Sequence, residues 1–208
     1  MSDTARPTGY VGSPIAPAAN RLFLLILQHP QEVREARATA VLTVATLRRA
    51  QLVTGLSWPN LAKALGRPAD PRRWGVLYLG STRPAALAPD RELLVLERNG
   101  EAVADPAPVL RGLEGVVLLD GTWSQAKTLW WRNSWLLKLQ RIVLNPARPS
   151  QLGVVRREPR RDALSTIEAA ALLLRHVEAQ SGPADALTAA FEQLLTSLRR
   201  PAQAPQSA

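Results

Sequence analysis

No cysteine occurs in the 208 residues, and histidine is scarce at two. The missing thiols exclude disulfides, a cysteine nucleophile, iron–sulfur clusters and thiolate zinc sites. With so few histidines and no dense cluster of acids, no metal is expected. Acidic residues are short as well: 17 Asp+Glu stand against 26 Lys+Arg, a formal net charge of +9 and a pI near 11.2. That balance favours a polyanion such as nucleic acid or an anionic membrane face. A genome rich in G and C reaches the same Arg and Ala content with no nucleic acid bound, so charge alone does not choose. Long apolar runs are also missing. No segment approaches the roughly 18 apolar residues of a membrane span, and "MSDTARPTGY" has no apolar stretch behind a basic start. A cytoplasmic chain with no membrane partner is therefore expected. Gly-rich phosphate loops of the P-loop or dinucleotide type are absent too, which argues against a nucleoside-triphosphate or nicotinamide enzyme.

The chain is long enough for one domain that buries roughly 70% of its unfolded surface. Residues 1–20 and 201–208 are rich in Pro, Ala, Ser and Gly without apolar periodicity and are expected to be disordered, leaving a domain over 21–200. Within it, continuous apolar runs at 22–27, 74–80, 92–97, 115–120 and 141–145 suit strands covered on both faces. Residues 39–53, 122–138, 165–179 and 184–199 carry helical patterns. The alternation predicts an α/β fold, a mostly parallel sheet flanked by helices.

The stretch "VVLLDGTWSQAKTLWWRNSWL" places Asp120 where a buried strand opens into a turn. Ligands of open α/β sheets bind just beyond such strand ends, though an aspartate there also serves as an ordinary turn residue. Gly121 permits the turn, and Thr122 with Gln125 has capping-box spacing, so a helix is predicted from Trp123. Trp123, Lys127 and Trp131 then share one helical face. Most of the tryptophans suit a core, while one or two suit stacking on a base. A second capping box, Ser165 with Glu168, opens the helix at 165, and its first N–H groups are suited to a carboxylate. Upstream, Arg156, Arg157, Arg160 and Arg161 crowd a turn-prone segment whose guanidiniums suit RNA phosphate, with a solvated face as the plain alternative. In "LQHPQE", His29 precedes a proline and Glu32 follows; by themselves both are turn residues.

The blocks "LQHPQE", "LLDGTWSQAKTL" and "ALSTIEAAALLL", in this order and separation, resemble the DTW-domain family, the tRNA-uridine aminocarboxypropyltransferases. The resemblance covers about residues 21–180, and its signature, Asp-x-Thr-Trp, is met by Asp120, Thr122 and Trp123. It implies a SPOUT-like fold with a knotted C-terminal half. It also implies tRNA as substrate and S-adenosylmethionine as donor of a 3-amino-3-carboxypropyl group to N3 of a uridine. Asp120 then takes the N3 proton as general base. Adenosine is expected among the loops after three strands, which singles out Gly80, Ser81, Leu119, Asp120 and Leu144. Ser165, Thr166 and Glu168 are candidates to grip the donor's amino acid end. Lys127 and the four arginines are candidates for tRNA, with His29 and Glu32 as further site candidates. The chain departs from many bacterial relatives in lacking a cysteine cluster ahead of the first block. Two other readings stay open: an S-adenosylmethionine-dependent RNA methyltransferase and a non-catalytic RNA-binding protein.

Overall fold

The computed structural model describes residues 16–34, 39–78, 80, 90–147, 150–151 and 164–199. Six strands form one sheet: β1 (Phe23–Gln28), β2 (Ala50–Thr54), β3 (Trp74–Leu77), β4 (Leu93–Leu96), β5 (Gly115–Asp120) and β6 (Gln140–Leu144). Their spatial order is β2-β1-β5-β3-β6-β4, all parallel except β4, which runs antiparallel to β6 at the edge. The α/β, mostly parallel expectation therefore holds.

Helices cover both faces. On one lie α1 (Thr39–Thr46), α5 (Thr166–Val177) and α6 (Gly182–Arg199), whose Leu42, Ile167, Leu173 and Leu187 pack on Leu24, Ile26, Val116 and Leu118. On the other lie α2 (Leu61–Leu65) and α4 (Trp123–Arg132), which meet Leu25, Leu27, Val76 and Val117. A short α3 (Ala107–Gly112) leads into β5. Alternate residues of β1 and β5 thus serve two cores, the reason these runs are continuously apolar instead of alternating. Each fully buried Leu or Ile contributes about 1.5–3 kcal/mol. Among the described residues no helix is long and apolar enough to cross a membrane.

Two expected helices differ from the structure. The pattern over 39–53 divides into α1 and the strand β2, with a turn at Leu47–Arg49. The cause is tertiary. The Ala18 N–H takes the Thr46 carbonyl at 2.8 Å, and the Asn20 amide both accepts the Arg49 N–H at 2.9 Å and donates to the Arg49 carbonyl at 3.1 Å. Backbone groups that a continued helix would use are already engaged, and Val53 suits the strand that follows. These contacts also order Ala18 and Asn20, inside the expected leader, while 1–15 and 200–208 lie outside the described residues. The pattern over 122–138 breaks at buried Asn133, whose side chain accepts from the Trp58 N–H at 2.8 Å and donates to the carbonyls of Leu56 and Leu129. A 3-10 turn over Ser134–Lys138 completes it.

Candidate functional site at the carboxyl ends of β1 and β5

The chain leaves β1 through α1 on one face and β5 through α4 on the other, and the two strands are neighbours. Their connections diverge, so the crevice beyond this pair is the topological switch point where α/β sheets bind ligands. The last residues there are polar and in register: Thr54 pairs with Gln28, and Gln28 with Asp120. Paired residues of parallel strands point to the same face, here that of α5. The three side chains therefore form one polar rung above an apolar sheet. The Thr54 hydroxyl donates to Gln28 Oε1 at 3.1 Å, and Gln28 Nε2 donates to Asp120 Oδ2 at 3.0 Å. From α5, the Thr166 hydroxyl donates to Asp120 Oδ1. Both carboxylate oxygens hold a donor, and each keeps a second lone pair for another.

The backbone around the rung joins distant segments. The His29 N–H donates to the Asp120 carbonyl at 3.0 Å, and the Glu32 N–H to the His29 carbonyl at 2.9 Å; Glu32 itself is buried. Gly121 has φ +151°, and a Cβ there would lie 2.8 Å from Gln125 Cβ, so glycine lets the turn close onto the first turn of α4. The Thr122 capping box forms as expected: its N–H donates to Gln125 Oε1 at 2.6 Å and its hydroxyl accepts from the Gln125 N–H. Gln125 Nε2 then reaches Gln31 Oε1 at 3.2 Å.

Trp123, the first residue of α4, is 37% exposed and stacks on Tyr78 at 6.2 Å between ring centroids, while Trp130 stacks on Tyr78 at 4.1 Å. Trp135 is core, its Nε1 donating to the Trp58 carbonyl at 2.9 Å. Burial pushes the Tyr78 phenol up, against the opposing pull of the nearby Arg141, whose guanidinium burial in turn lowers. Arg141 Nε holds the Tyr78 carbonyl at 3.2 Å, and its guanidinium lies 2.8 Å from where a Cβ on Gly80 would stand. Gly80, at φ +61°, thus makes room for Arg141 beside the aromatic stack.

At the start of α5, Glu168 takes the Ser165 N–H and hydroxyl and the Ser150 hydroxyl on Oε2, and the Gln151 N–H on Oε1. Its carboxylate ties the segments on either side of the arginine-rich stretch to one helix end. Leu119 and Leu144, partly buried at the ends of β5 and β6, pack into opposite cores. Lys127 is exposed on α4. Ser81, Arg156, Arg157, Arg160 and Arg161 lie outside the described residues. Among the described residues there is no group of three or more side chains suited to a metal. Sequence reasoning missed Gln28 as a site residue, although it ends an apolar run as Asp120 does. It missed Thr54, whose strand was expected to be helix, and Tyr78 and Arg141, whose positions carry no motif.

Gln28, His29 and Gln31 come from the first block of the sequence signature, Asp120 and Gln125 from the second and Thr166 from the third; all meet at one crevice. A sequence model of the DTW domain matches residues 6–199. The chain belongs to the DTW-domain family. It is similar to proteins named tRNA-uridine aminocarboxypropyltransferase 2: 29% identical over 171 residues to that of Macaca fascicularis, covering 79% of this chain and 51% of the relative. For the Drosophila melanogaster protein the figures are 30% over 169 residues, 80% and 61%. The chain thus spans about half to three-fifths of the length of these relatives. No solved structure matches. In this DTW domain the signature Asp, Thr and Trp have three separate placements: in the crevice, at the helix cap, and on the aromatic stack.

Proposed function

We propose that this DTW domain is a tRNA-modifying transferase that moves the 3-amino-3-carboxypropyl group of S-adenosylmethionine to N3 of a tRNA uridine. The observation that carries the reading is Asp120, an acceptor-only carboxylate held by Gln28 and Thr166 in the switch-point crevice. The names of the similar proteins support the reaction class. The residues suit the donor. A carboxylate and hydroxyls face the crevice at the ends of β1 and β5. When bound, the donor supplies a sulfonium-activated carbon and leaves as methylthioadenosine.

Asp120 accepts the N3 proton, which makes the nitrogen nucleophilic toward that carbon. Gln28 holds one carboxylate oxygen in place and is in turn held by Thr54. Thr166 and Ser165, at the start of α5, grip the donor's amino acid end, which selects the transferred carbon by orientation. Glu168, engaged with Ser150 and Gln151, supports that helix end rather than touching the donor. Adenosine lies against the loops of Gly80, Ser81, Leu119 and Leu144. Thr122 positions the helix start and Trp123 supplies a ring face for the uracil. Arg156, Arg157, Arg160, Arg161 and Lys127 serve tRNA phosphates, and His29 and Glu32 brace the β1 turn. The SPOUT-like character of the fold belongs to the same proposal, and the mostly parallel sheet with its crevice supports it.

The test is product analysis with S-adenosylmethionine and bulk tRNA. Methylthioadenosine is the expected product. S-adenosylhomocysteine would make the protein a methyltransferase, and neither product would leave only RNA binding. Donor binding has its own readout: at a hundredfold excess over Kd, S-adenosylmethionine alone stabilises by about 2.7 kcal/mol. Absence of a melting shift at saturating donor overturns the donor assignment.

A further inference from the structure

α4 buries Leu129 against the sheet and turns another side to solvent. On that outer side Trp123, Lys127 and Trp131 follow at four-residue spacing, and Trp131 is 72% exposed. Leu137, in the turn that follows, is 68% exposed. The aromatic stack accounts for Trp123 and Trp130, which lie along Tyr78. Trp131 takes no part in it. An indole left this far in water is unused by the fold, and the stretch of chain that carries it has one sign of charge. From Gly121 to Arg157 the sequence contains no acidic residue. Lys127, Arg132 and Lys138 are exposed along the same helix and turn, and none of the three forms an ion pair with a described residue. A second copy of the chain would bring the same cations face to face. A polyanion with flat apolar faces meets both features: exposed rings offer stacking, and the cations offer phosphate contacts.

We propose that Trp131, with Lys127 and Arg132, forms a docking platform for a single-stranded stretch of RNA that flanks the nucleotide held at Asp120, one unpaired base stacking on Trp131. The RNA's identity as tRNA rests on the function proposed above; the platform itself rests on exposure and charge. Trp123 to Trp131 is eight residues of helix, roughly 12 Å at 1.5 Å per residue. At about 3.4 Å per stacked base that spans three to four nucleotides. The platform therefore reads the neighbourhood of the target nucleotide, in the manner of a loop or an end and unlike a paired stem.

The experiment uses the full chain, with fluorescence anisotropy of labelled bulk tRNA and of a labelled single-stranded oligouridine at fixed salt. Trp131→Ala should weaken both by about tenfold, equivalent to about 1.4 kcal/mol, while Trp131→Phe retains most of the affinity. Lys127→Ala should reduce the log-log salt slope by about 0.7–0.9. Donor binding, read by calorimetry with S-adenosylmethionine alone, and the melting curve of Trp131→Ala should match the wild type. Affinity of Trp131→Ala within twofold of wild type overturns the platform. So does a concentration-dependent dimer in sedimentation that Trp131→Ala abolishes while RNA affinity stays. Trp131-dependent oligouridine binding without transfer to tRNA keeps the platform and removes the transferase reading. Transfer to tRNA with RNA affinity indifferent to Trp131 does the reverse.

Discussion

Asp120→Asn separates a carboxylate that takes a proton from one that only braces a turn. In the native site Gln28 Nε2 donates to one oxygen at 3.0 Å and the Thr166 hydroxyl to the other. Asparagine offers one acceptor oxygen and one NH2, so one of the two donors must yield. Thr166 can yield by rotation, since a hydroxyl both donates and accepts, leaving the oxygen for Gln28. The Gln28–Thr54 contact then survives. What changes is the strength of the bonds: hydrogen bonds to a charged acceptor contribute about 1.5–3 kcal/mol, neutral ones about 0.5–1.5. The expected loss is therefore about 1–2 kcal/mol, or roughly 2–8 °C in Tm for a domain of this size. Turnover should fall much further, by about 10²- to 10⁴-fold, because the amide cannot take the N3 proton. The assay pairs methylthioadenosine release under single-turnover conditions with a melting curve on the same preparation. A folded Asp120→Asn protein that releases methylthioadenosine within a few-fold of wild type refutes the assignment of Asp120 as the base.

Gln28→Glu sets a second carboxylate against Asp120, and two such groups in contact cannot both ionise readily, so one pKa is raised above the ordinary carboxylate range of about 4. A raised pKa contributes stability below the unfolded value that is lost as pH rises, so the variant's Tm relative to wild type should fall between about pH 4 and 7; parallel pH–Tm profiles would show that the rung is not a coupled pair. Asn133→Ala strips the Trp58 N–H and the carbonyls of Leu56 and Leu129 of a buried partner and should cost about 3 kcal/mol in chemical denaturation, far more than an exposed Asn→Ala change. Replacing Arg156, Arg157, Arg160 and Arg161 together by Ser should weaken tRNA binding and flatten its salt dependence by about 0.7–0.9 per lost phosphate contact. An unchanged slope would return that segment to a solvated surface.

Much of the site was legible because its residues punctuate simple patterns. Asp120 interrupts an apolar run and is followed by a capping box whose two halves, Thr122 and Gln125, are three residues apart; the box formed as its spacing required. Gln28 ends the neighbouring run in the same way, but a single polar residue at a strand end has no meaning until its neighbour is known. That neighbour is set by strand order, and β1 lies beside β5 although three strands, β2, β3 and β4, separate them in the sequence. The helix expected over 39–53 failed for a related reason. Its second half has the composition of either element, and the choice was made by Asn20 and Ala18, some thirty residues upstream in the chain.

By itself, then, the sequence determined what depends on near neighbours: continuous apolar runs that must be covered on both faces, capped helix starts, a glycine after Asp120, and a surface biased toward cations. Only the tertiary structure decided which strand ends stand side by side, that Thr54, Gln28, Asp120 and Thr166 share one hydrogen-bonded rung, and that Trp131 is left outside while Trp135 is enclosed. The physical reason is range. Caps, turns and periodicity act over three or four residues, whereas a buried donor's partner and a ring's exposure are settled by segments that meet only when the sheet closes.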